Sequence, residues 1–224
     1  MNRKYENILF DFDGTLVDTG PGIMNAAGYS LKTYGIDEKN PDNLRRFVGP
    51  PLAEAFAEHY GFSPERSVEA VLRFRDYYLD KGNKECELYP GVTEMLSNLR
   101  SDGRRLIVAT GKPEDLALMI AARFDIIDYF EIVRGAYVDD EGEHRTGKQE
   151  IIESIFDELH ITDLSSCIMV GDRANDIMGA HSSGIKAIGA LWGYGSEKEL
   201  CGAGADYTAA APQQISDMII NDLL

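Results

Sequence analysis

The stretch from Asn7 to Phe10 reads NILF, and it constrains the fold more than any other feature of the chain. An apolar run of this length, without polar alternation, is typical of a strand that is buried on both faces of a parallel sheet. The run stops at two acids, Asp11 and Asp13, and Gly14 follows them directly. Because glycine permits a sharp bend, we expect a strand followed by a turn that brings the two carboxylates toward one site.

The chain from about residue 90 onward alternates between strand-like and helix-like segments. The predicted strands cover residues 105–109, 131–134, 167–170 and 185–189. The predicted helices cover residues 92–100, 113–124, 147–159, 173–183 and 212–223. Parallel strands are joined by helical crossovers, so this alternation predicts an α/β fold with a Rossmann-like parallel sheet.

The segment of residues 17–86 reads as mostly helical and is inserted after the first strand. We predict helices at residues 21–34, 52–60 and 65–81 within it. The chain of 224 residues is long enough for a core with a smaller insert. The predicted domains are therefore an α/β core of residues 1–16 and 87–224 and an inserted helical domain of residues 17–86.

The formal net charge of −16 argues against a nucleic-acid-binding protein, because binding to a phosphate backbone needs a basic face. The charge does not exclude small phosphorylated substrates, since a metal ion offsets negative charge locally. The three cysteines, Cys86, Cys167 and Cys201, are widely spaced and indicate reduced thiols of a cytoplasmic protein. We expect no membrane span, because no apolar stretch reaches roughly 18 residues.

Polar residues follow three of the predicted strands. They are Asp11 and Asp13 after the first strand, Thr110, Gly111 and Lys112 after the second, and Asp172 and Asp176 after the third. In open α/β sheets, ligands bind beyond the carboxyl ends of the strands, so neighbouring strands would gather the four aspartates at one edge. Crowded carboxylates repel one another, and a hard divalent cation relieves that repulsion. The pattern therefore predicts a Mg²⁺ site at this edge.

Four segments, taken in order, resemble the four motifs of the haloacid dehalogenase-like phosphatases. They are DFDGTLVD from Asp11, Thr110 after LIVA, Lys148, and GDRANDI from Gly171. A lone Asp-x-Asp pair is weak evidence, whereas the complete ordered set is specific, and the resemblance covers nearly the whole chain. It implies the α/β fold of that family, with the helical insertion as a cap domain.

The resemblance implies a role for each matching residue. Asp11 would be the nucleophile that forms an aspartyl-phosphate, and Asp13 would be the general acid and then the base for water. Thr110 and the backbone amide of Gly111 would bind the phosphoryl group, and Lys148 would neutralise its charge. The implied Mg²⁺ ligands are Asp11, the backbone carbonyl of Asp13 and Asp172, with Asp176 in a second layer or joined through a metal-bound water.

The helical block lies between the first and second motifs, as does the cap of the phosphoglycolate phosphatase-like branch. RRFVGPPL at residues 45–52 resembles a cap loop of bacterial phosphatases named phosphoglycolate phosphatases or 5′-nucleotidases. Arg46, or its neighbour Arg45, is therefore a candidate for binding an anionic part of the substrate. The leading prediction is a Mg²⁺-dependent phosphatase that hydrolyses a small phosphomonoester of the phosphoglycolate or 5′-nucleotide type.

Three alternatives to this prediction stay open. A sugar phosphomutase of the β-phosphoglucomutase kind shares the fold, nucleophile and cap, and a pyrophosphatase is a further option. A phosphate-binding regulatory protein without turnover would be a different class. Asp13 argues against a dehalogenase, because dehalogenases of this superfamily lack the second aspartate. The expected partner is a small phosphorylated metabolite, with no nucleic acid and no membrane, and we expect a cytoplasmic monomer, with a dimer left open.

Overall fold

The computed structural model describes residues 4–138, 144–145 and 147–224. Its strands are β1 (Asn7–Phe10), β2 (Val17–Asp18), β3 (Glu87–Leu88), β4 (Arg105–Pro113), β5 (Ile132–Val138), β6 (His144–Arg145), β7 (Cys167–Gly171), β8 (Lys186–Ala190) and β9 (Tyr207–Ala209). Seven of them form one sheet in the order β6-β5-β4-β1-β7-β8-β9, while β2 pairs with β3. Six strands of the large sheet are parallel, and β6 runs antiparallel to β5. The predicted parallel α/β sheet is confirmed.

Strand β1 lies between β4 and β7, as its apolar sequence predicts. All four of its residues are buried. Phe10 is in register with Val108 of β4 and with Val170 of β7. The carboxyl ends of these three strands therefore meet at one edge of the sheet, where the polar residues that follow them are brought together.

The helices are α1 (Gly20–Thr33), α2 (Pro41–Arg45), α3 (Leu52–Tyr60), α4 (Pro64–Asp80), α5 (Val92–Ser101), α6 (Glu114–Arg123), α7 (Lys148–Glu158), α8 (Ala174–Ser182), α9 (Glu197–Gly202) and α10 (Pro212–Ile220). Helices α5 to α10 flank the sheet. Helix α7 shows how they attach to it: Ile151, Ile152 and Ile155 share one face and are fully buried in a cluster that includes Leu9 and Met169. Burial of this apolar face holds the helix in place and so positions its first residue.

The chain divides into two units, one of Met1–Leu16 with Leu88–Leu224 and one of Val17–Glu87. The second unit contains α1 to α4 and has its own core. Phe47, Phe56 and Phe62 contribute aromatic packing there, with ring centroids 4.7 Å apart for Phe47 and Phe56 and 5.7 Å apart for Phe56 and Phe62. The inserted segment therefore carries an apolar core separate from the sheet.

The structure corrects several predicted element bounds. The strand predicted at residues 105–109 continues to Pro113, because β4 resumes its pairing with β5 there after an irregularity. The strand predicted at residues 131–134 likewise extends to Val138. The short elements α9 and β9 were not predicted, since their sequences carry little apolar periodicity. The sequence DDEGEH at residues 139–144 is typical of a hairpin loop with its turn at Gly142, and all of it except His144 lies outside the described residues.

Within the described residues, no helix combines the length and apolar composition that a membrane crossing requires.

Candidate active site

Asp11 follows β1 directly and stays at the edge of the sheet. Its backbone N–H donates to the carbonyl oxygen of Val170 at 2.8 Å, which extends the pairing of β1 with β7 by one residue. The residue is only 7% exposed. Gly14 then turns the chain with a φ of +82°, a left-handed conformation that glycine adopts without strain. This is the bend that the sequence predicts after the strand.

Three buried carboxylates meet beyond the ends of β1 and β7. Asp172 follows β7, and Asp176 lies in the first turn of α8. One oxygen from each of Asp11, Asp172 and Asp176 lies within 4.8 Å of the others, and we call these three residues the acid triad. Asp172 and Asp176 are 0% and 1% exposed, so water screens the repulsion between their charges only weakly.

Lys148, the first residue of α7, bridges two members of the acid triad. Its Nζ lies 2.9 Å from Asp11 Oδ1 and 2.8 Å from Asp176 Oδ1, and its side chain is 9% exposed. It also donates to the carbonyl oxygen of Ala109 at 2.8 Å. Burial disfavours the ammonium, but the charges of Asp11 and Asp176 outweigh burial and raise the pKa of Lys148 above its ordinary value. Lys148 is therefore a fixed cation.

One lysine does not balance the acid triad. Burial raises the pKa of Asp172 well above its ordinary value, and the charges of Asp176 and Asp11 act in the same direction. Burial also raises the pKa of Asp176 to about 6, with the charge of Asp11 adding to the effect and Lys148 opposing it. Such a cluster of carboxylate oxygens with excess negative charge is the donor set that hard divalent cations prefer. The residues of the triad therefore fit a metal ion.

Asp172 is oriented by hydrogen bonds from two separate segments. Thr15 Oγ1 donates to Asp172 Oδ1 at 3.1 Å, and the backbone N–H of Tyr194 donates to Asp172 Oδ2 at 2.7 Å. Trp192 donates from Nε1 to the carbonyl oxygen of Thr15 at 3.0 Å, so it braces the same turn. A Cβ on Gly193 would lie 2.4 Å from the Asp172 side chain, which explains the glycine in this loop.

Asp13 lies outside the acid triad and contacts a different cation. Lys112 Nζ donates to both of its carboxylate oxygens, at 3.0 and 3.2 Å. The side chains of Lys112 and Asp13 are 3% and 16% exposed. The two acids of the Asp-x-Asp pair therefore have separate partners, Lys148 for Asp11 and Lys112 for Asp13.

The remaining predicted site residues lie in two places. Thr110 is buried in β4, one residue beyond Ala109, and its Oγ1 accepts a hydrogen bond from the N–H of Lys112 at 3.2 Å. Gly111 follows it and is exposed. Arg46 belongs to the second unit, where it follows α2 and is exposed. The structure thus brings Asp11, Lys148, Asp172 and Asp176 into contact and places Asp13 and Thr110 beside Lys112.

The sequence alone predicts no role in this site for Lys112, Trp192 or Tyr194. Lys112 carried a signal, since it is a basic residue directly after Thr110 and Gly111 at the end of a buried strand. The sequence feature that could have indicated Trp192 is the pair of closely spaced glycines in WGYG. Tyr194 acts through its backbone amide, so its residue type carries no information about this contact.

The chain is similar to known proteins over most of its length. Residues 8–190 match the model of a family described as haloacid dehalogenase-like hydrolase. A 5′-nucleotidase from Pseudomonas aeruginosa is 39% identical over 88% of this chain and 87% of its own length. A phosphoglycolate phosphatase from Chromobacterium violaceum is 30% identical over 99% of this chain and 100% of its own length.

A third relative carries a different name. The tyrosine-protein kinase PtkA from Mycobacterium tuberculosis is 34% identical over 84% of this chain, which spans 62% of the length of PtkA. Among solved structures, a predicted phosphatase from Clostridium acetobutylicum superposes with a TM-score of 0.90 at 35% identity, covering 97% of this chain and 99% of that one.

Proposed function

We propose that this chain, which belongs to the haloacid dehalogenase-like hydrolase family and is a phosphomonoester hydrolase, is a Mg²⁺-dependent phosphatase of small phosphomonoesters. The observation that carries the proposal is the contact of Lys148 with Asp11 and Asp176 inside a triad of buried carboxylates. A carboxylate nucleophile, a fixed cation and a metal-binding donor set are the parts that phosphoryl transfer through a covalent intermediate requires.

The first step is proposed to transfer the phosphoryl group to Asp11. A carboxylate oxygen of Asp11 attacks phosphorus, and the bond from phosphorus to the leaving oxygen breaks. Asp13, which enters this step carrying a proton, gives that proton to the leaving oxygen, so the leaving group departs as a neutral alcohol. Lys148, already 2.9 Å from Asp11 Oδ1, offsets charge on the phosphoryl oxygens.

The second step is proposed to hydrolyse the aspartyl-phosphate. Asp13, now ionised, takes a proton from water as the water oxygen attacks phosphorus, and the bond from phosphorus to the Asp11 oxygen breaks. Inorganic phosphate leaves, and both aspartates return to their starting states. Mg²⁺, held by Asp11, Asp172 and the backbone carbonyl of Asp13 with Asp176 nearby, would stabilise negative charge on the phosphoryl group when bound.

Phosphoglycolate and 5′-nucleotides are the proposed substrate class. The relatives named 5′-nucleotidase and phosphoglycolate phosphatase support this choice. Both kinds of molecule are small phosphomonoesters with a further polar or anionic part. Arg46 is proposed to bind that part, because its segment resembles a cap loop of such phosphatases. An Arg46→Ala protein with unchanged KM for its best substrate would remove Arg46 from this role.

The deciding experiment measures inorganic phosphate released from a panel of phosphomonoesters. The panel contains phosphoglycolate, several 5′-nucleotides, sugar phosphates and p-nitrophenyl phosphate. Each substrate is incubated with Mg²⁺, with EDTA and with the Asp11→Asn protein. Glu131→Gln is the matched control, since it also neutralises one carboxylate but lies at the opposite end of the sheet, beside Arg105. Release that requires both Mg²⁺ and Asp11 is the expected result.

Other outcomes identify the alternatives. Conversion of β-glucose 1-phosphate to glucose 6-phosphate without net phosphate loss indicates a mutase, and release from pyrophosphate alone indicates a pyrophosphatase. Transfer of a labelled phosphoryl group from ATP to a tyrosine side chain would indicate the kinase activity that the name of PtkA describes. Phosphate binding without any turnover would contradict the proposal and favour a regulatory protein.

A further inference from the structure

Lys112 and Asp13 form a largely buried ion pair beyond β1. Lys112 Nζ reaches both oxygens of the Asp13 carboxylate, at 3.0 and 3.2 Å, from a side chain that is 3% exposed. A contact to one oxygen would leave the carboxylate free to rotate about that oxygen. A contact to both restricts its rotation, because either donor distance lengthens when the group turns.

Lys112 is itself held by its backbone. Its N–H donates to Thr110 Oγ1 at 3.2 Å. Its carbonyl oxygen lies against Gly135, where an added Cβ would come within 2.5 Å of it. Gly135 is fixed in turn, since its N–H donates to a Glu114 carboxylate oxygen at 3.1 Å. The ammonium that meets Asp13 therefore projects from a segment that is anchored on both sides.

We propose that Lys112 is a positioning residue for Asp13, which fixes the direction of the carboxylate that transfers protons in both steps of the reaction. The inference rests on the proposed function, since it is there that Asp13 receives this role. In this arrangement Lys148 contacts Asp11 and Asp176 of the acid triad, and Lys112 contacts Asp13, the residue that transfers protons. Loss of orientation at a reacting group costs on the order of 10²-fold in rate when the displacement is about 1 Å.

A residue that acts through Asp13 has a kinetic signature. The p-nitrophenolate group leaves without a proton, whereas an alkyl alkoxide needs one. For Lys112→Met we therefore expect the first turnover of p-nitrophenyl phosphate to keep nearly its wild-type rate. Later turnovers should slow by about 10²-fold, because water must still give its proton to Asp13. With an alkyl phosphomonoester, the first turnover should slow as well.

The test is a rapid-quench measurement of both phases on four proteins: wild type, Lys112→Met, Asp13→Asn and the double variant. If Lys112 acts through Asp13, adding Lys112→Met to Asp13→Asn should change the rates by less than about twofold. Lys112→Gln, which keeps an N–H donor on a shorter side chain, provides a second single variant if Lys112→Met does not fold. The rate losses of Lys112→Gln should be smaller, and in the first turnover they should again be larger for the alkyl substrate than for p-nitrophenyl phosphate.

Two results overturn the inference, and they are distinguishable. An active wild-type protein whose Lys112 variants slow the first turnover of aryl and alkyl substrates equally, or lose as much in the Asp13→Asn background, would show that Lys112 acts on the phosphoryl group or on the fold. A wild-type protein that releases no phosphate with Mg²⁺ would instead overturn the proposed function, and this inference with it.

Discussion

The two ends of the central sheet treat acidic residues in opposite ways. At the amino end, Glu131 accepts two hydrogen bonds of 2.7 Å from Arg105, and this pairing lowers the pKa of Glu131. At the carboxyl end, the acid triad shares Lys148, and the pKa of both Asp172 and Asp176 is raised. A carboxylate is thus stabilised in its charged form at one end of the sheet and destabilised at the other.

The difference lies in how many cations face each acid. Glu131 faces one guanidinium, that of Arg105, and both side chains of the pair are more than a third exposed, so water also stabilises their charges. The triad has three carboxylates for one ammonium in a nearly dry setting. Uncompensated buried charge lowers the stability of a fold, so a cation bound at the carboxyl end should raise the stability of the protein.

The largest predicted effect tests the carboxyl end directly. Asp11→Asn should lower phosphatase activity by roughly 10³-fold or more, because it removes the proposed nucleophile. The same change should raise the melting temperature of the metal-free protein, since it relieves repulsion in the triad. Activity assays and thermal unfolding in EDTA check the two parts. A loss of activity together with a lower melting temperature would indicate a damaged fold and would contradict the proposed difference between the two ends of the sheet.

The next prediction concerns pH and Mg²⁺. The pKa of Asp176 in the folded protein, about 6, lies above its unfolded value, so the folded state holds an extra proton between those values. The metal-free protein should therefore lose stability as pH rises through about 6, and Mg²⁺ should restore it most above that pH. At about a hundredfold excess over its Kd, the ion should contribute about 2.7 kcal/mol.

Thermal unfolding near pH 5 and near pH 8, with and without Mg²⁺, measures this effect. Asp176→Asn is the control variant, because it keeps the size of the side chain while removing the titration of Asp176. An equal Mg²⁺ effect at the two pH values would contradict the prediction.

A smaller effect is expected at Trp192, which braces the turn that carries Thr15. Trp192→Phe keeps a ring in place and removes the N–H donor. We expect a loss of about tenfold in Mg²⁺ affinity, the lower end of what contacts behind a metal ligand contribute. Titration calorimetry measures it, and thermal unfolding in EDTA controls for stability. Unchanged affinity would show that the orientation of Asp172 depends on Thr15 and Tyr194, which donate to it directly, and not on Trp192.

The smallest effect is predicted at the amino end. Glu131→Gln removes the charge that faces Arg105, and both side chains are partly exposed. It should cost less than about 1 kcal/mol of unfolding free energy and should leave phosphatase activity unchanged. Urea unfolding and the phosphate-release assay measure the two quantities. A large loss of activity would show that the two ends of the sheet are coupled.

The features that were predictable from sequence depend on local residue patterns and on the general topology of α/β sheets. The apolar run before Asp11 identifies a buried strand, and Gly14 marks the bend that follows it. The convergence of Asp11 with Asp172 follows from the neighbouring parallel strands that precede them. Each of these inferences needs only the local pattern and the topology of an α/β sheet.

The contacts that were missed depend on geometry between distant segments. The pairing of Lys112 with Asp13 requires β4 to continue past its predicted end, which the sequence does not show because Gly111 and Pro113 are typical of turns. The hydrogen bond from Tyr194 to Asp172 is made by a backbone N–H. Any residue carries that donor, so no residue type in the sequence could have indicated it.

The position of Trp192 has an optical consequence. It is the single tryptophan among the 224 residues of the chain. Its indole N–H is bonded to the carbonyl of Thr15, whose hydroxyl is bonded to Asp172. Indole emission responds to nearby charge, so an ion that binds beside Asp172 changes the electric field at Trp192. Excitation at the red edge of protein absorption selects this tryptophan. The emission of Trp192 should therefore report binding at the acid triad, and a fluorimeter can follow that binding before any product has formed.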